Sequence, residues 1–550
     1  MALNQKSLLA CVGMLLLSTV CLADGNSTLP TDQFKYDPGV LLNQRIKELQ
    51  RLRMDIDAVK GFENQEEEKT ESVETVKPDA PEVTLKLNRL EIPDSAVLKR
   101  ADLDAIVEKY SGREVQVADL YDAVEEINKL YQKGGYITTR AILPPQKIED
   151  GIVKIQLIEG IVGNVFVDGN KYTKESYIKK RMGIQVGKVP NMNTLKNRIQ
   201  NFNGTSNTVL QIKMVAGEAP LTTDFYIVAV EPKSKNFTSI FTDNSGSENS
   251  GKWRYGLNYS DINLSGIGDT LSASFMVSQT SETGMVSYSR PINNNGTELG
   301  LSYSGNHMRV SHGYMKPLDV RGKSSTWGFS LSHPTKMRAK IREQIIFEFQ
   351  RQRSRTTIQG GTFVDDKEQR FSLGYSSLRI KPNQIFYWKP AVTYNAYDGL
   401  YEKKYGARFV IDGLWRKFQK KGDIISLRLN TQKAFSDYIP SADQYYLGGQ
   451  FTVRGYEANG IGADSGINVK LDYAWHTRAK GLMFITFADW GRLFGESILS
   501  TKQIYSLGWG FEYQHKNIVA SLYVGYALKR HIGDNKVDAN NTHFSLNYIF

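Results

Sequence analysis

Trp253, Tyr255, Leu257 and Tyr259 alternate with Arg254, Gly256, Asn258 and Ser260, and this period of two recurs along most of the chain after Asn236. Leu271, Ala273, Phe275 and Val277 repeat it, as do Leu299, Leu301 and Tyr303. Ile425, Leu427 and Leu429 follow the same rule, and so do Val469, Leu471, Tyr473 and Trp475. The last segment, Phe544, Leu546, Tyr548 and Phe550, ends on an aromatic residue. A period of two sends successive side chains to opposite faces, so each segment predicts a strand with one apolar and one polar face. In water such a face could pack on a core. A chain built almost wholly of such segments, aromatic on one side and small or polar on the other, fits a wall bathed in lipid better. Within lipid every backbone polar group has to be paired, which a closed barrel achieves. Residues 236–550 are 315 positions. Strands of ~9–11 residues with connections of similar length then give roughly 16 antiparallel transmembrane strands.

The pattern upstream is different. Residues 82–232 mix strand and helix signals twice. The first unit, 82–159, opens with Val83, Leu85 and Leu87, then predicts helices over 101–110 and 117–133 and strands over 137–143 and 152–158. The second, 160–232, predicts a strand over 162–167, a turn at Asp168-Gly169-Asn170, helices near 174–182 and 193–202, and strands over 209–215 and 225–230. Two βααββ modules in tandem is the reading, each near the small end of domain size. Before them, Leu42, Leu49, Leu52, Ile56 and Val59 recur at helical spacing after Pro38, which predicts a lone amphipathic helix within 24–60. Residues 61–81, with Glu66-Glu67-Glu68, Pro78 and Pro81, read as an acidic, solvated linker.

The one long apolar run, Leu8 to Val20, follows Lys6 and gives way to Cys21-Leu22-Ala23 and Asp24. It is short of the ~20 residues that cross a bilayer as a helix. A basic start, an apolar middle and a small residue before a polar stretch predict a cleaved signal peptide over 1–23. Both cysteines, Cys11 and Cys21, fall inside it, so the exported chain would carry none. The 29 Tyr and 47 Gly suit aromatic belts and tight turns. The net charge of +11 raises a nucleic-acid partner, but the basic residues are scattered over the whole length with no binding module, so none is expected.

Several motifs carry a family resemblance over nearly all of the chain after the signal. Tyr131-Gln132-Lys133-Gly134-Gly135-Tyr136-Ile137-Thr138-Thr139-Arg140, then Leu143-Pro144-Pro145-Gln146, Gly151 and Ile158-Glu159-Gly160 resemble a first polypeptide-transport-associated (POTRA) module. Asp243-Asn244-Ser245-Gly246, Gly251 and Gly266-Ile267-Gly268-Asp269 are similar to the first two barrel strands of the same family. Leu447-Gly448-Gly449-Gln450-Phe451-Thr452-Val453-Arg454-Gly455-Tyr456 resembles its lumen loop, and Phe487-Ala488-Asp489-Trp490-Gly491 the strand motif whose aspartate meets the loop arginine. The family is that of the two-partner secretion outer-membrane transporters of the hemolysin-activator type (TpsB).

The resemblance implies a bacterial outer-membrane pore with its N-terminal modules in the periplasm. Such a pore recognises an unfolded partner exoprotein through its POTRA modules and passes it to the cell surface without ATP. It implies a lumen loop at Val453, Arg454, Gly455 and Tyr456, with its ionic partner motif at Phe487, Asp489 and Gly491. It further implies a barrel-assembly signal ending at Phe550, and POTRA residues Gly135, Tyr136, Pro144 and Gln146. The 24–60 helix would plug the pore at rest, although a short coiled coil or packing on a POTRA surface fits the same stripe. The expected partners are a secreted TpsA-like adhesin, cytolysin or contact-dependent toxin, outer-membrane lipid, and the barrel assembly machinery during biogenesis. The pore itself is expected to be a monomer. The alternative is an outer-membrane insertase of the same superfamily, although such proteins usually carry more POTRA modules than the two here.

Enzymatic chemistry is not expected. No Gly-x-Ser-x-Gly or His-Glu-x-x-His occurs, and the seven histidines are isolated. Gly322-Lys323-Ser324 hints at a phosphate loop, but Pro317 stands where its first glycine should be. Neither a cofactor nor a metal is expected.

Overall fold

The computed structural model describes residues 38–43, 45–47 and 84–550, except 247–248, 313–315, 400–402, 437–438, 496–500 and 534. The signal at 1–23, the acidic linker at 61–81 and the rest of the N-terminal helix lie outside the described residues. Two compact units emerge. One holds residues 38–47 with everything from Ser234 onward; the other runs to Lys233.

In the second of these units, the first module carries Thr84–Leu87 and Arg89–Glu91, helices Arg100–Tyr110 and Val117–Gly134, and strands Thr139–Ile142, Ile152–Lys154 and Gln156–Glu159. The predicted order is present with two additions, the short strands Arg89–Glu91 and Arg113–Gln116. The second lies between the helices and pairs antiparallel with Thr84–Leu87. It has four residues and one buried apolar position, Val115, which is too little alternation to read in a sequence. The predicted strand at 152–158 divides at Ile155, running parallel to Arg89–Glu91 before it and antiparallel to Thr139–Ile142 after it. Leu103, Ile106 and Tyr110 on one helix and Leu120, Ala123, Ile127 and Tyr131 on the other, at three- and four-residue steps, supply the module's core.

The second module is a three-stranded sheet with Thr222–Val230 in the centre, parallel to Ile161–Asp168 and antiparallel to Val209–Ala216. Helices Glu175–Met182 and Met192–Thr205 cover one face, burying Ile178, Met182 and Phe202 against Phe225 and Ile227.

Sixteen antiparallel strands close the other unit into a barrel, from Asn236–Asp243 to Asn540–Ile549, which pair with each other. Closure leaves no edge, so each strand's backbone groups are taken up by two neighbours. Neighbours in the wall are neighbours in sequence apart from the closing seam and two connections that form small hairpins of their own, Tyr445–Leu447 with Ile461–Ala463 and His531–Ile532 with Asn535–Lys536. The outer face carries exposed Tyr255, Trp327, Leu373 and Tyr405. Ring pairs such as Tyr303–Trp327 (4.6 Å) and Tyr473–Trp475 (4.2 Å) lie between and along its strands. Arg254, Gln352, Arg370, Arg408, Lys470, Asp489 and Glu512 are buried at the alternate positions, facing the lumen. A polar lumen and an apolar outside are the arrangement that lipid demands. Among the described residues no helix is long and apolar enough to cross a bilayer.

Candidate functional site

Of the 435–464 connection, the described residues Ile439 to Asp464 fold into the lumen. Consecutive glycines Gly448 (φ 108°) and Gly449 (φ 85°) turn the chain at the hairpin end. The Thr452 hydroxyl accepts the Gly448 amide at 2.9 Å, and the Gly449 amide donates to the Tyr456 carbonyl at 3.0 Å, closing the tip on itself. Val453, Arg454, Gly455 and Tyr456 then stand at the tip.

Arg454 meets Asp489 of the strand Leu482–Phe494 three times. Its Nε and backbone N–H donate to Oδ2 at 2.7 and 2.9 Å, and Nη2 donates to Oδ1 at 2.7 Å. Nη2 also reaches Asp472 of the neighbouring strand Ser465–His476 at 2.5 Å. The guanidinium lies 3.6 Å from the Phe487 ring centroid and 5.4 Å from that of Tyr523. Both side chains of the main pair are almost wholly buried, at 3% and 0% exposure. Bidentate geometry, a backbone donor and a π face together offset the desolvation of these charges.

The other tip residues act by shape. Val453 is fully buried with Leu447, Ile461, Leu493 and Ile504. A Cβ at Gly491 would stand 2.6 Å from a Leu447 methyl and 3.0 Å from one of Val453, so the third residue of the aspartate motif makes room for this cluster. Gly455 (φ 96°) packs backbone to backbone against Gly525 of the strand Ile518–Ala527; a Cβ at Gly525 would come within 2.5 Å of the Gly455 nitrogen. The Tyr456 hydroxyl accepts the Lys529 amide at 3.0 Å and lies 3.0 Å from the Tyr505 carbonyl.

A second polar cluster, not anticipated from the sequence, holds the start of the connection. Asp443 accepts from Arg370 Nη1 at 3.0 Å and pairs with Arg408 Nη1 at 2.9 Å, and Asn395 donates to both Asp443 and Glu368. Gln432 Nε2 donates to the Asp443 carbonyl at 2.8 Å. Four wall strands are thereby tied to one carboxylate and its peptide. The helix residues 38–47 join the same cluster. Asn43 Nδ2 donates to the Ala442 carbonyl at 2.8 Å, and Arg370 Nη2 donates to Asn43 Oδ1 at 3.4 Å. Leu41 packs against Met308, Val310 and Val320, and the Arg45 guanidinium lies over the Phe241 ring. The helix therefore sits in the lumen beside the connection.

The remaining predicted residues lie apart from this cluster. Phe550 directly follows the closing strand Asn540–Ile549 and is exposed, and its amide donates to the Thr238 carbonyl at 2.9 Å across the seam. In the first module, Gly135 (φ 83°) caps the helix Val117–Gly134, and Tyr136 packs on the module's core. The Gln146 amide donates to the Lys154 carbonyl at 2.7 Å and accepts the Lys154 N–H at 2.8 Å, and its Nε2 also reaches the Pro144 carbonyl at 3.3 Å. These contacts shape the module. Beside them the Tyr131 hydroxyl donates to Glu159 at 2.8 Å; burial first, then that carboxylate, pushes the phenol well above its usual pKa. Gly322-Lys323-Ser324 lies within a wall strand, Arg321–Arg338. Among the described residues no group of His, Cys, Asp and Glu is arranged to hold a metal.

Known proteins resemble this chain in sequence and fold. Residues 85–160 match the POTRA domain of ShlB type, and residues 224–513 match the haemolysin secretion/activation protein ShlB/FhaC/HecB. Heme/hemopexin transporter protein HuxB of Haemophilus influenzae (strain 86-028NP) is 25% identical over 446 residues, 76% of this chain and 74% of that protein. Outer membrane transporter CdiB of Dickeya dadantii (strain 3937) is 23% identical over 400 residues, 69% of this chain and 68% of that one. The solved structure of CdiB from Escherichia coli is 17% identical, with a TM-score of 0.68 over 96% of this chain and 100% of that one. The POTRA unit is periplasmic and the barrel lies in the outer membrane. Both ends of the barrel chain therefore lie at the periplasmic rim, and the long connections 310–320, 435–464 and 528–539 rise from the extracellular one. The match to more than half of its length settles the identification: this chain belongs to the ShlB/FhaC/HecB haemolysin secretion/activation family, the outer-membrane transporters that translocate partner exoproteins in two-partner secretion.

Proposed function

We propose that the Arg454–Asp489 pair holds the 435–464 connection in the position that transport requires, and that the exoprotein is captured in extended form by the second POTRA module. The observation that carries the first part is the threefold contact of one buried arginine with one aspartate, made from a loop tip to the wall. Removing one partner of a buried pair leaves an uncompensated charge, a loss of about 3–5 kcal/mol when burial is complete. The test is Arg454→Ala in the full-length protein. Expected is a barrel that still inserts and resists detergent unfolding but exports little client. Unaltered export from a normally folded barrel would end this reading.

Strand addition supports the second part. Val209–Ala216 stands at a sheet edge, and Asn203 takes up both outward backbone groups of Leu210, with Nδ2 donating to the carbonyl at 3.0 Å and Oδ1 accepting the amide at 2.8 Å. Antiparallel pairing alternates, so the groups of Ile212 and Met214 also point away from the sheet, where an extended client can pair with them. The helix in the lumen closes the pore at rest and leaves when the client enters. Folding of the client outside the cell, in place of ATP, gives transport its direction; a client mutated so that it cannot fold, yet exported at the normal rate, would contradict this.

The relatives named for heme/hemopexin transport make a heme- or hemopexin-binding exoprotein one client class to assay, beside adhesins, cytolysins and contact-dependent toxins. The barrel assembly machinery is the proposed partner in biogenesis. The working unit is proposed to be the monomer.

A further inference from the structure

Four neighbouring wall strands, Glu298–Arg309, Arg321–Arg338, Ile341–Ile358 and Gly361–Lys381, have 12, 18, 18 and 21 residues. A strand needs only ~9–11 to cross the hydrocarbon. The excess projects at the hairpin ends 310–320 and 359–360, which stand at the extracellular rim with the 435–464 connection. Where this extension begins, the outer face carries the ring pairs Tyr303–Trp327 and Phe349–Phe371, at 4.6 and 4.9 Å. Aromatic girdles of this kind mark the level where hydrocarbon meets headgroups.

From the Trp327 row of the girdle upward the outward positions turn basic. Arg351 stands directly across from Trp327, and Arg353 and Arg355 follow at two-residue steps on the same face. Lys323 is opposite Arg355, Arg353 is opposite Lys367, and Arg309 is opposite Arg321. All of these side chains are exposed. Four residues of strand are about 13 Å, and a tilt of about 40° reduces that to roughly 10 Å of height, so the group spans the headgroup layer of the outer leaflet.

Charge balance and register point the same way. Like charges directly opposite each other across two strands destabilise a sheet, and three such pairs occur side by side. Two carboxylates are engaged: Asp319 by Arg309 and Arg321, and Asp365 by Arg353 and Arg355. Asp398 lies across from Lys367 without reaching ion-pair distance. Among the described residues Lys323, Arg351 and Lys367 come within ion-pair distance of no carboxylate, although Asp365 acts on Lys367 at longer range. A solvated loop could carry such charges at random positions. Three like-charged pairs, one, two and three steps above the Trp327 row of an aromatic girdle on a lipid-facing wall, call for anions lying over them.

We infer that this face binds the phosphate-bearing headgroup of an outer-leaflet glycolipid of the lipid A type, with its acyl chains along the apolar wall below Trp327 and Phe371. The phosphates relieve the repulsion between Lys323 and Arg355 and between Arg353 and Lys367, and so fasten the extended hairpins to the membrane surface. The inference rests on the outer-membrane placement and is independent of the client and of the lumen loop.

The test uses the full-length protein in a zwitterionic detergent, alone and with lipid A, dephosphorylated lipid A or inorganic pyrophosphate. It is read by the thermal midpoint of the barrel and by lipid retained in native mass spectrometry. The comparison is the triple variant K323Q/R351Q/K367Q, which removes no ion pair. Lipid A should raise the midpoint of the wild type while dephosphorylated lipid A and pyrophosphate do not. The variant should bind lipid A roughly a hundredfold more weakly, yet unfold at a higher temperature than the wild type when no lipid is present. Should the triple variant fail to fold, K323Q alone carries the same readouts. An equal rise with dephosphorylated lipid A, full reproduction of the effect by pyrophosphate, or a variant that responds like the wild type would each overturn the inference.

Discussion

Arg454 shows how much one side chain does in this lumen. It holds a wall aspartate with three donors, a second aspartate with a fourth contact, and the faces of Phe487 and Tyr523 with its plane. Lysine keeps the charge but has neither the fork nor the planar face. Arg454→Lys is therefore expected to recover only a small part of the export lost in Arg454→Ala, which a secretion assay of both variants checks. Gly525 is the complementary case, since it contributes by having no side chain. Gly525→Val has to push the Gly455 backbone away, a strain of about 1–3 kcal/mol. It should leave the wall closed while the 448–460 tip becomes cleavable by protease added to detergent-solubilised protein; a tip as resistant as in the wild type would contradict the close packing. Arg454, Asp489 and Gly491 were readable from their motifs. Arg370, Arg408, Asn395 and Asp443 were not, because Lys367, Glu368, Gln369 and Arg370 form a polar run in which the sequence does not say which side is inward. Register decides that Glu368 and Arg370 face the lumen and Lys367 and Gln369 the outside.

At the level of elements, the edge strand Val209–Ala216 and the lumen helix make opposite demands. In the proposed receptor role the strand acts through its outward backbone groups at Ile212 and Met214, those of Leu210 being held by Asn203. Proline is tolerated at an edge where the N–H points away from the sheet and not where the N–H bonds within it. Ile212→Pro should thus leave the isolated thermal transition of the POTRA unit nearly in place while weakening client binding, whereas Lys213→Pro should unfold the sheet. Equal client affinity in a folded Ile212→Pro protein would exclude this edge as the receptor. The helix, by contrast, is bound through Asn43, Leu41 and Arg45 to loop and wall. Deleting residues 24–60 is expected to raise single-channel conductance in planar bilayers, and an unchanged conductance would mean that the helix is not the closing element.

The whole molecule is governed by the difference between two solvents. Around the barrel, lipid rewards apolar side chains outside and requires every strand to be paired, so a chain with this composition has no soluble form of equal stability. Purified protein should need detergent, show a strand-dominated circular dichroism spectrum, and migrate differently in SDS before and after boiling. Free solubility in water would undo the assignment. Inside, burying charges is tolerated because the loop and helix supply opposite charges and amides at fixed positions.

Period-two alternation is a local property, so the barrel, its lipid-facing side and a count near sixteen strands followed from sequence alone. The count survived because its errors cancel: the wall strands run from 8 to 21 residues, and several turns are shorter than the average assumed. The helices and longer strands of the two modules were also readable, since helical and strand periods change sharply between them, while the short strands Arg89–Glu91 and Arg113–Gln116 were not. What only the tertiary structure decided were contacts between positions far apart in the chain. Asn43 meets Ala442, Arg370 meets Asp443, and Lys323 stands across from Arg355. Each of these depends on strand register and on where a long connection folds, and a shift of one residue in register would reverse every inward and outward choice.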